Sequence, residues 1–599
     1  MGAFEWSAED VARHLRSSAV FRTLDDAAVE RFVEASEVLL VRAGEVVISE
    51  GDAGADAFIV IAGRLDVTAA SADGTTRTVN HLGPGDVVGE MALLTDERRS
   101  ATVRARRDSA LVRIGSDDFR SIVLDHPESL LDVTRTVMLR LNRSIHDERP
   151  DGIRNVIAVL PAGDRPAHFE FARAFADALP STSVAFVTAE HVRSNIGGDV
   201  SEAATTQYLH RTEDANEFVV LVGESGNAAW SELCHRQSDV VLHVGYADSL
   251  GSIAEYETDP TSAECGNTPF ELVLVHADET PVNTASILEK RSPRRHHHIR
   301  HGSMADVERV ARIVGGSSVG VVFGGGGARG YAHLGVLKAM LEAGIPIDHV
   351  GGASIGSAIA SGLAMGLDWD DMVAQLRGVT YEGGGIVDST LPSVAVARGK
   401  RLTEGMRDGY GDIGIEDLWT EFFCVSTDLT EGKVHVHTSG PVWEAVRSSV
   451  SIPGVLPPMR SSAGHVLVDG GVLDNVPTAA MKSTYSPRWL IAVDLSARST
   501  IGAADLGSEG SISGWKVARH RVLPWKDRLD VPGILESLIA ASTISGSATG
   551  TDADLIIRPP VSEFGFLDFA AGDDIIEAGY RHTVDLFDAE GMLDRFRPN

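Results

Sequence analysis

Residues 348–361, Asp-His-Val-Gly-Gly-Ala-Ser-Ile-Gly-Ser-Ala-Ile-Ala-Ser, read as a short apolar strand, a glycine-flanked serine and a helix of small residues. A nucleophilic serine at a sheet edge requires that sequence of parts: a strand, a sharp turn whose small neighbours tolerate strain, and a helix N-terminus facing the hydroxyl. The pattern Gly-x-Ser-x-Gly is common in a chain with 61 glycines among 599 residues, and it recurs at Gly316-Ser-Ser-Val-Gly320. A further glycine-bracketed serine, Ser513, lies in Gly510-Ser-Ile-Ser-Gly514. Context separates the three. Ser318 begins a strand with no helix start behind it, and Ser513 falls in TIGAADLGSEGSISG, a Gly/Ser/Ala-rich run expected to be exposed loop. Only Ser354 has both strand and helix.

Upstream, the strand SVGVVF (Ser318–Phe323) runs into Gly324-Gly-Gly-Gly-Ala-Arg-Gly330 and then a helical pattern. A glycine turn of this kind offers backbone N–H groups to an oxyanion with no side chain in the way. The same loop also fits a dinucleotide fingerprint, Gly325-x-Gly327-x-x-Gly330, with Asp348 downstream for a ribose. Against that reading, the acid should close the second strand, whereas Asp348 precedes it and Ser354 closes it. For the base that Ser354 needs, the available groups are His333, His349, His465 and Asp469. Asp469 ends a short strand in HVLVDGGVLDNVP, ahead of two glycines, a position suited to present a carboxylate at the sheet edge. His333, on the helix after the glycine loop, reads as a packing or capping residue.

Length predicts several domains at about 150 residues each. The three cysteines, Cys234, Cys265 and Cys424, are widely spaced and odd in number, which argues against a disulfide framework or a thiolate zinc site. A net charge of −32 repels nucleic acid and anionic head groups, so no nucleic-acid partner is expected and membrane contact should be apolar and local. No run approaches the ~18 apolar residues of a membrane span, and MGAFEWSAEDVARHLRSS has no secretory core. A cytoplasmic protein, at most peripheral to the membrane, is expected, with a homo-oligomer left open.

From Leu39 to Arg113, short β-rich runs alternate with Gly and Asp turns, as in a small barrel or jelly roll, with helical patterns at Ala8–Ser17 and Asp117–Leu141. The polar stretch NRSIHDERPDGIR (Asn142–Arg154) reads as a linker. Beyond it, NVIAVLPAG, SVAFVTA, EFVVLVG, DVVLHVG and FELVLVH are buried strand patterns separated by helices, predicting a doubly wound parallel sheet to about His301. The His-rich run Arg294–His301 reads as a linker packing against the following domain, not a metal site, because adjacent imidazoles seldom converge on one ion.

The motifs Gly324–Gly330, Gly352-Ala-Ser-Ile-Gly356 and Asp469-Gly-Gly471, with VSTDLTEGKV (Val425–Val434) and VRSSVSIPGVLPP (Val446–Pro458), resemble the patatin-like phospholipases. WSELCHRQSDVVLHVG (Trp230–Gly245) and HHHIRHG (His296–Gly302) resemble, more narrowly, the neuropathy target esterase family. In GDVVGEMALLTDERRSATVRA (Gly85–Ala105), Gly89 and the following amides, Glu90 as a ribose acceptor, Arg99 as a phosphate cation and Ser100 beside it resemble the phosphate-binding cassette of cyclic nucleotide-binding domains.

The resemblance implies three domains: a cyclic nucleotide-binding β-barrel or jelly roll over 1–148, a Rossmann-like α/β middle domain over 149–301, and a patatin-like α/β hydrolase-type domain over 302–599. It implies a Ser354–Asp469 dyad without a catalytic histidine, and an oxyanion hole at Gly325, Gly326 and Gly327. Arg329 is expected to anchor the loop. The implied substrate is a lysophospholipid or phospholipid ester, with no cofactor for catalysis, no metal, and cAMP favoured over cGMP as allosteric ligand. The stretch read here offers no counterpart to the family's N-terminal membrane helix, so a soluble or peripheral protein is expected. The alternatives are a cyclic-nucleotide-responsive binding protein with an inactive esterase domain, and a nicotinamide-dependent oxidoreductase.

Overall fold

The computed structural model describes residues 8–17, 21, 24–70, 76–95, 97–125, 128, 135, 138, 155–196, 201–253, 270–277, 280–382, 388, 390, 394–496, 552–590 and 595–596. The whole of the expected linker at 142–154 and the whole run from Thr500 to Gly514 lie outside them. The chain divides into two compact units, 1–278 with 287–315, and 279–286 with 316–599.

The first unit opens with eight short strands, β1 (Glu37–Val41), β2 (Val46–Ile48), β3 (Asp56–Ala62), β4 (Leu65–Ala70), β5 (Thr76–Leu82), β6 (Val87–Val88), β7 (Thr102–Ala105) and β8 (Ser109–Gly115). They form two four-stranded sheets, β1-β8-β3-β6 and β2-β7-β4-β5. Phe58, Val60, Leu65, Val103 and Leu111 fill the space between them. The alternate residues of β3 and β8 meet Phe32 and Phe119 from the flanking helices Asp26–Ala35 and Ser116–Asp125, together with Phe21. The sheet is therefore apolar on both faces, which is why DAFIVIA lacks a clean alternation.

Six further strands follow: β9 (Val156–Pro161), β10 (Val184–Val187), β11 (Phe218–Val222), β12 (Val240–Tyr246), β13 (Phe270–His276) and β14 (Arg295–Arg300). All pair in parallel in the order β10-β11-β9-β12-β13-β14. Helices His168–Ala178 and Met304–Val314 cover one face, and Glu202–Ala215 with Ala228–Gln237 cover the other.

The run Arg294–His301, expected as a linker, is instead the sixth strand of this sheet. Its imidazoles find partners across the ladder: His297 Nε2 meets the buried Glu271 carboxylate at 2.9 Å, and His298 Nδ1 meets His276 Nε2 at 2.8 Å. Strand alternation sends His297 and His298 to opposite faces. On the side of β14 away from β13, Asp306 accepts the Arg300 N–H at 2.9 Å and Arg309 donates to the His298 carbonyl at 2.7 Å. The helix carrying them packs on this sheet, so the middle unit continues past His301 to Gly315.

Barrel and middle sheet meet through charge. Asp239, just before β12, takes Arg107 Nε at 3.2 Å and Arg64 Nε at 3.1 Å, both from barrel turns, and accepts the N–H groups of Asn155 and Val156 where β9 begins. Arg107 also pairs with Glu213, and Asp108 accepts from Arg236 and Gln237.

The second unit is built on β15 (Val319–Phe323), β16 (His349–Ala353), β17 (Glu421–Asp428), β18 (Lys433–His437), β19 (Met459–Arg460), β20 (Val466–Asp469), β21 (Trp489–Val493) and β22 (Leu555–Ile557). The order is β19-β20-β17-β16-β15-β21-β22, with β18 on β17. β17, β16, β15, β21 and β22 run parallel, and β18, β19 and β20 join antiparallel. In the register of β15 and β16, Phe323 lies beside Gly352. The glycine loop and Ser354 therefore leave the sheet at the same edge.

Candidate active site and nucleotide pocket

Ser354 follows β16 directly and caps the helix Ile355–Ala364. Its backbone sits at φ 52° and ψ −127°, a conformation that L residues avoid and that persists where neighbours over-determine it. One such neighbour is Ser449, whose Oγ accepts the Ser354 N–H at 2.9 Å and donates to the Val425 carbonyl at 2.7 Å.

The Ser354 hydroxyl donates to Asp469 Oδ2 at 2.7 Å, and both residues are 6% exposed. Asp469 ends β20, which pairs with β17 so that Asp469 lies opposite Ser426. Its other oxygen accepts the Gly471 N–H at 2.8 Å. Burial pushes the Asp469 carboxyl up to about 6, against the pull of the bonds from Ser354 and Gly471.

The three histidines considered as bases are engaged elsewhere. His333 donates Nε2–H to the Gly324 carbonyl at 2.7 Å, and burial pushes its pKa down to about 4, so it is neutral and steadies the loop. His349 lies at the start of β16 between Ser318 Oγ and Glu421. His465 pairs with Asp428 at 2.7 Å. Asp428, Glu431 and His465 have the donor types of a metal site. The Asp428 oxygens are taken by the amides of Thr430 and Glu431 and by His465, however, and Glu431 pairs with Lys433.

In the glycine loop, the Gly325 N–H donates to the Asn475 carbonyl at 3.1 Å and the Ala328 N–H to the Phe566 carbonyl at 2.8 Å. Among the described residues, the amides of Gly326 and Gly327 have no protein acceptor. Gly325 must be glycine because a Cβ there would lie 2.5 Å from Asn475 Oδ1 and 3.1 Å from Ser354 Cβ. Arg329 Nε donates to the Phe564 carbonyl at 2.9 Å, which ties the loop to a segment far along the chain. Asp348, the would-be ribose ligand, is fully buried at the opposite end of β16 and accepts the Val319 N–H at 2.9 Å. A dinucleotide on the glycine loop could not reach it. A hydroxyl bonded to a buried carboxylate, beside two amides without acceptors, has the parts for acyl transfer. Ser449 and Asn475 escaped the sequence reading, since nothing in their spacing links them to Ser354 or the loop.

In the barrel, a cavity of about 290 Å³ is lined by Val67, Asn80, Leu82, Gly89, Glu90, Arg99 and Ser100 among others. Gly89, at φ 88°, turns the chain into the short helix Glu90–Thr95. Arg99 is held at the cavity by the carbonyls of Gly89 at 2.9 Å and Asp56 at 2.6 Å. In the middle sheet, the turn after β9, Ala162-Gly-Asp-Arg-Pro-Ala-His168, lacks the Gly-Lys-Ser/Thr of a phosphate-binding loop, and its Arg165 pairs with Asp248 and covers Tyr246. No helix among the described residues is long and apolar enough to cross a membrane.

Three families match the chain: the cyclic nucleotide-binding domain over residues 38–126, the neuropathy target esterase family P-loop like domain over 154–316, and the patatin-like phospholipases over 321–482. Lysophospholipase NTE1 of Coccidioides immitis (strain RS) is 30% identical over 647 residues, covering 92% of this chain and 40% of that protein. Neuropathy target esterase sws of Drosophila melanogaster is 28% identical, covering 93% and 43%. Patatin-like phospholipase domain-containing protein 7 of Mus musculus is 27% identical, covering 93% and 46%. The chain thus spans less than half the length of these relatives.

Proposed function

Because the chain belongs to the neuropathy target esterase family of patatin-like phospholipases, we propose that it hydrolyses the acyl ester of a lysophospholipid or phospholipid through a Ser354–Asp469 dyad. The observation that carries this reading is the 2.7 Å bond from Ser354 Oγ to a buried carboxylate. Asp469 takes the hydroxyl proton as Ser354 Oγ attacks the ester carbonyl carbon. The oxyanion forms against the amides of Gly326 and Gly327, while Gly325, its own N–H committed to Asn475, shapes the turn. Collapse of the tetrahedral intermediate breaks the ester bond, and Asp469 returns its proton to the departing alcohol. Water then gives a proton to Asp469 and attacks the acyl-enzyme carbonyl, and collapse of this second intermediate releases the fatty acid while Asp469 returns the proton to Ser354 Oγ. One carboxylate serves both halves of the reaction.

A cyclic nucleotide is the ligand proposed for the barrel cavity, with Arg99 facing its phosphate, Glu90 its ribose hydroxyl, and the amides after Gly89 completing the cradle. Regulation of the esterase by that ligand, cAMP in the favoured case, is part of the proposal.

The test is turnover of lysophosphatidylcholine by wild type, Ser354→Ala and Asp469→Asn, with fluorophosphonate labelling of wild type. Labelling at Ser354 and loss of turnover in both variants, each still folded, are expected. Turnover by either variant at the wild-type rate would remove the dyad, and a folded wild type that is neither labelled nor active would leave a binding protein.

A further inference from the structure

Nucleophile and carboxylate are 115 positions apart in the chain, on strands that do not touch: β17 runs between β16 and β20. A third segment spans the gap. Ser449 closes the helix Val442–Ser449, and its hydroxyl accepts the Ser354 N–H. Two residues later the Ser451 carbonyl accepts the Asp469 N–H at 2.9 Å. One short turn therefore holds both residues by their main-chain amides. That turn is itself fixed, since buried Arg447 donates to Ser451 Oγ at 2.6 Å and to Thr403 Oγ1 at 3.1 Å.

We infer that Ser449 is a positioning residue for the esterase reaction: its hydroxyl holds the amide of Ser354 so that Ser354 Oγ stays on Asp469. The inference rests on the Ser354–Asp469 reading. Ser449 is completely buried, and it must both accept from Ser354 and donate to Val425, which a hydroxyl does with one atom. Without that acceptor, the amide of Ser354 is left unsatisfied in a positive-φ conformation, and relaxation of the turn carries Oγ away from the carboxylate. A second consequence concerns the oxyanion. Because Ser449 takes the N–H of Ser354, that amide is not free to bind the developing charge, which falls to Gly326 and Gly327.

The experiment compares wild type, Ser354→Ala, Ser449→Ala and the nearly isosteric Ser449→Cys on lysophosphatidylcholine, with melting curves for each. Both Ser449 variants should fold, with kcat reduced about tenfold to a hundredfold and KM within about twofold. The acidic limb of the rate profile should also move to higher pH, because Asp469 loses a bond that favours its charged form. A purely structural role would leave that limb in place. Wild-type kcat or an unmoved limb in either folded variant overturns the inference, as does failure of both to fold. If Ser354→Ala is inactive while the Ser449 variants behave as wild type, this inference alone falls. If Ser354→Ala retains turnover, the dyad reading falls with it.

Discussion

Arg107 and Asp239 face each other at 3.2 Å with each side chain 1% exposed, and they join the N-terminal barrel to the middle sheet. Burial works against the charge on Asp239, yet Arg107, Arg64 and the Val156 N–H together hold its carboxyl below the usual range. The pair is thus ionised in a dry interface, and its value lies in what its loss would leave behind.

Asp239→Ala takes the shared carboxylate from the buried Arg64 and Arg107, of which Arg107 keeps Glu213, and frees the amides at the start of β9, so the first unit should lose about 3 kcal/mol, the lower end for a broken buried pair. Urea unfolding of the full chain, followed by fluorescence, measures it, and an unchanged midpoint would contradict it. The contribution is present above the unfolded carboxyl pKa of about 3.9 and disappears as pH falls through the lower folded value. Neutral buffers should therefore show it in full.

Asp469 works in the opposite sense. Its folded pKa of about 6 lies above the model-peptide value of 3.8, so the folded state holds a proton that the unfolded state releases between those limits. The destabilisation is absent below both values, grows as pH rises through them and is complete above about 6, reaching about 3 kcal/mol. Asp469→Asn should therefore melt higher than wild type at pH 8 and near it in mild acid, while remaining inactive. In wild type, kcat/KM should rise through the same pH and level above it, since the base must be ionised.

For the barrel, Arg99→Ala should abolish the rise in melting temperature that cAMP or cGMP gives wild type. Gly89→Ala should do nearly the same by steric means, because a Cβ there would lie 2.6 Å from Arg99 Nη1 and 2.9 Å from the Asp56 carbonyl. Equal shifts in wild type and both variants, read by differential scanning fluorimetry, would remove the site.

The residues most legible in the sequence were those whose type and local pattern carry the constraint. Val/Ile runs buried on both faces announced the parallel strands, and a serine between glycines, set between strand and helix, announced the turn at Ser354. Ser449 was invisible because RSSVSIPG holds several serines, and the amide it serves is 95 positions away. The loop glycines could be assigned together but not separately, since only the fold shows that Asn475 takes the amide of Gly325. β14 was misread because three consecutive histidines look like surface chain until Glu271 and His276 are brought alongside. Arg64, Arg107 and Asp239 likewise look like ordinary turn charges, and only the fold brings the three together between barrel and middle sheet.

The last strand of the middle sheet also bears on self-association. An outer strand normally offers a row of open donors and acceptors to any other extended chain, and so invites copies to polymerise edge to edge. Along β14, one of those donors and one of those acceptors are already taken by Asp306 and Arg309 from the helix that follows. An incoming strand would have to displace an ionised carboxylate and a guanidinium that also bind each other at 2.7 Å. The chain thus sets a charged latch on its own sheet edge, and strand addition at this rim has that ion pair to break.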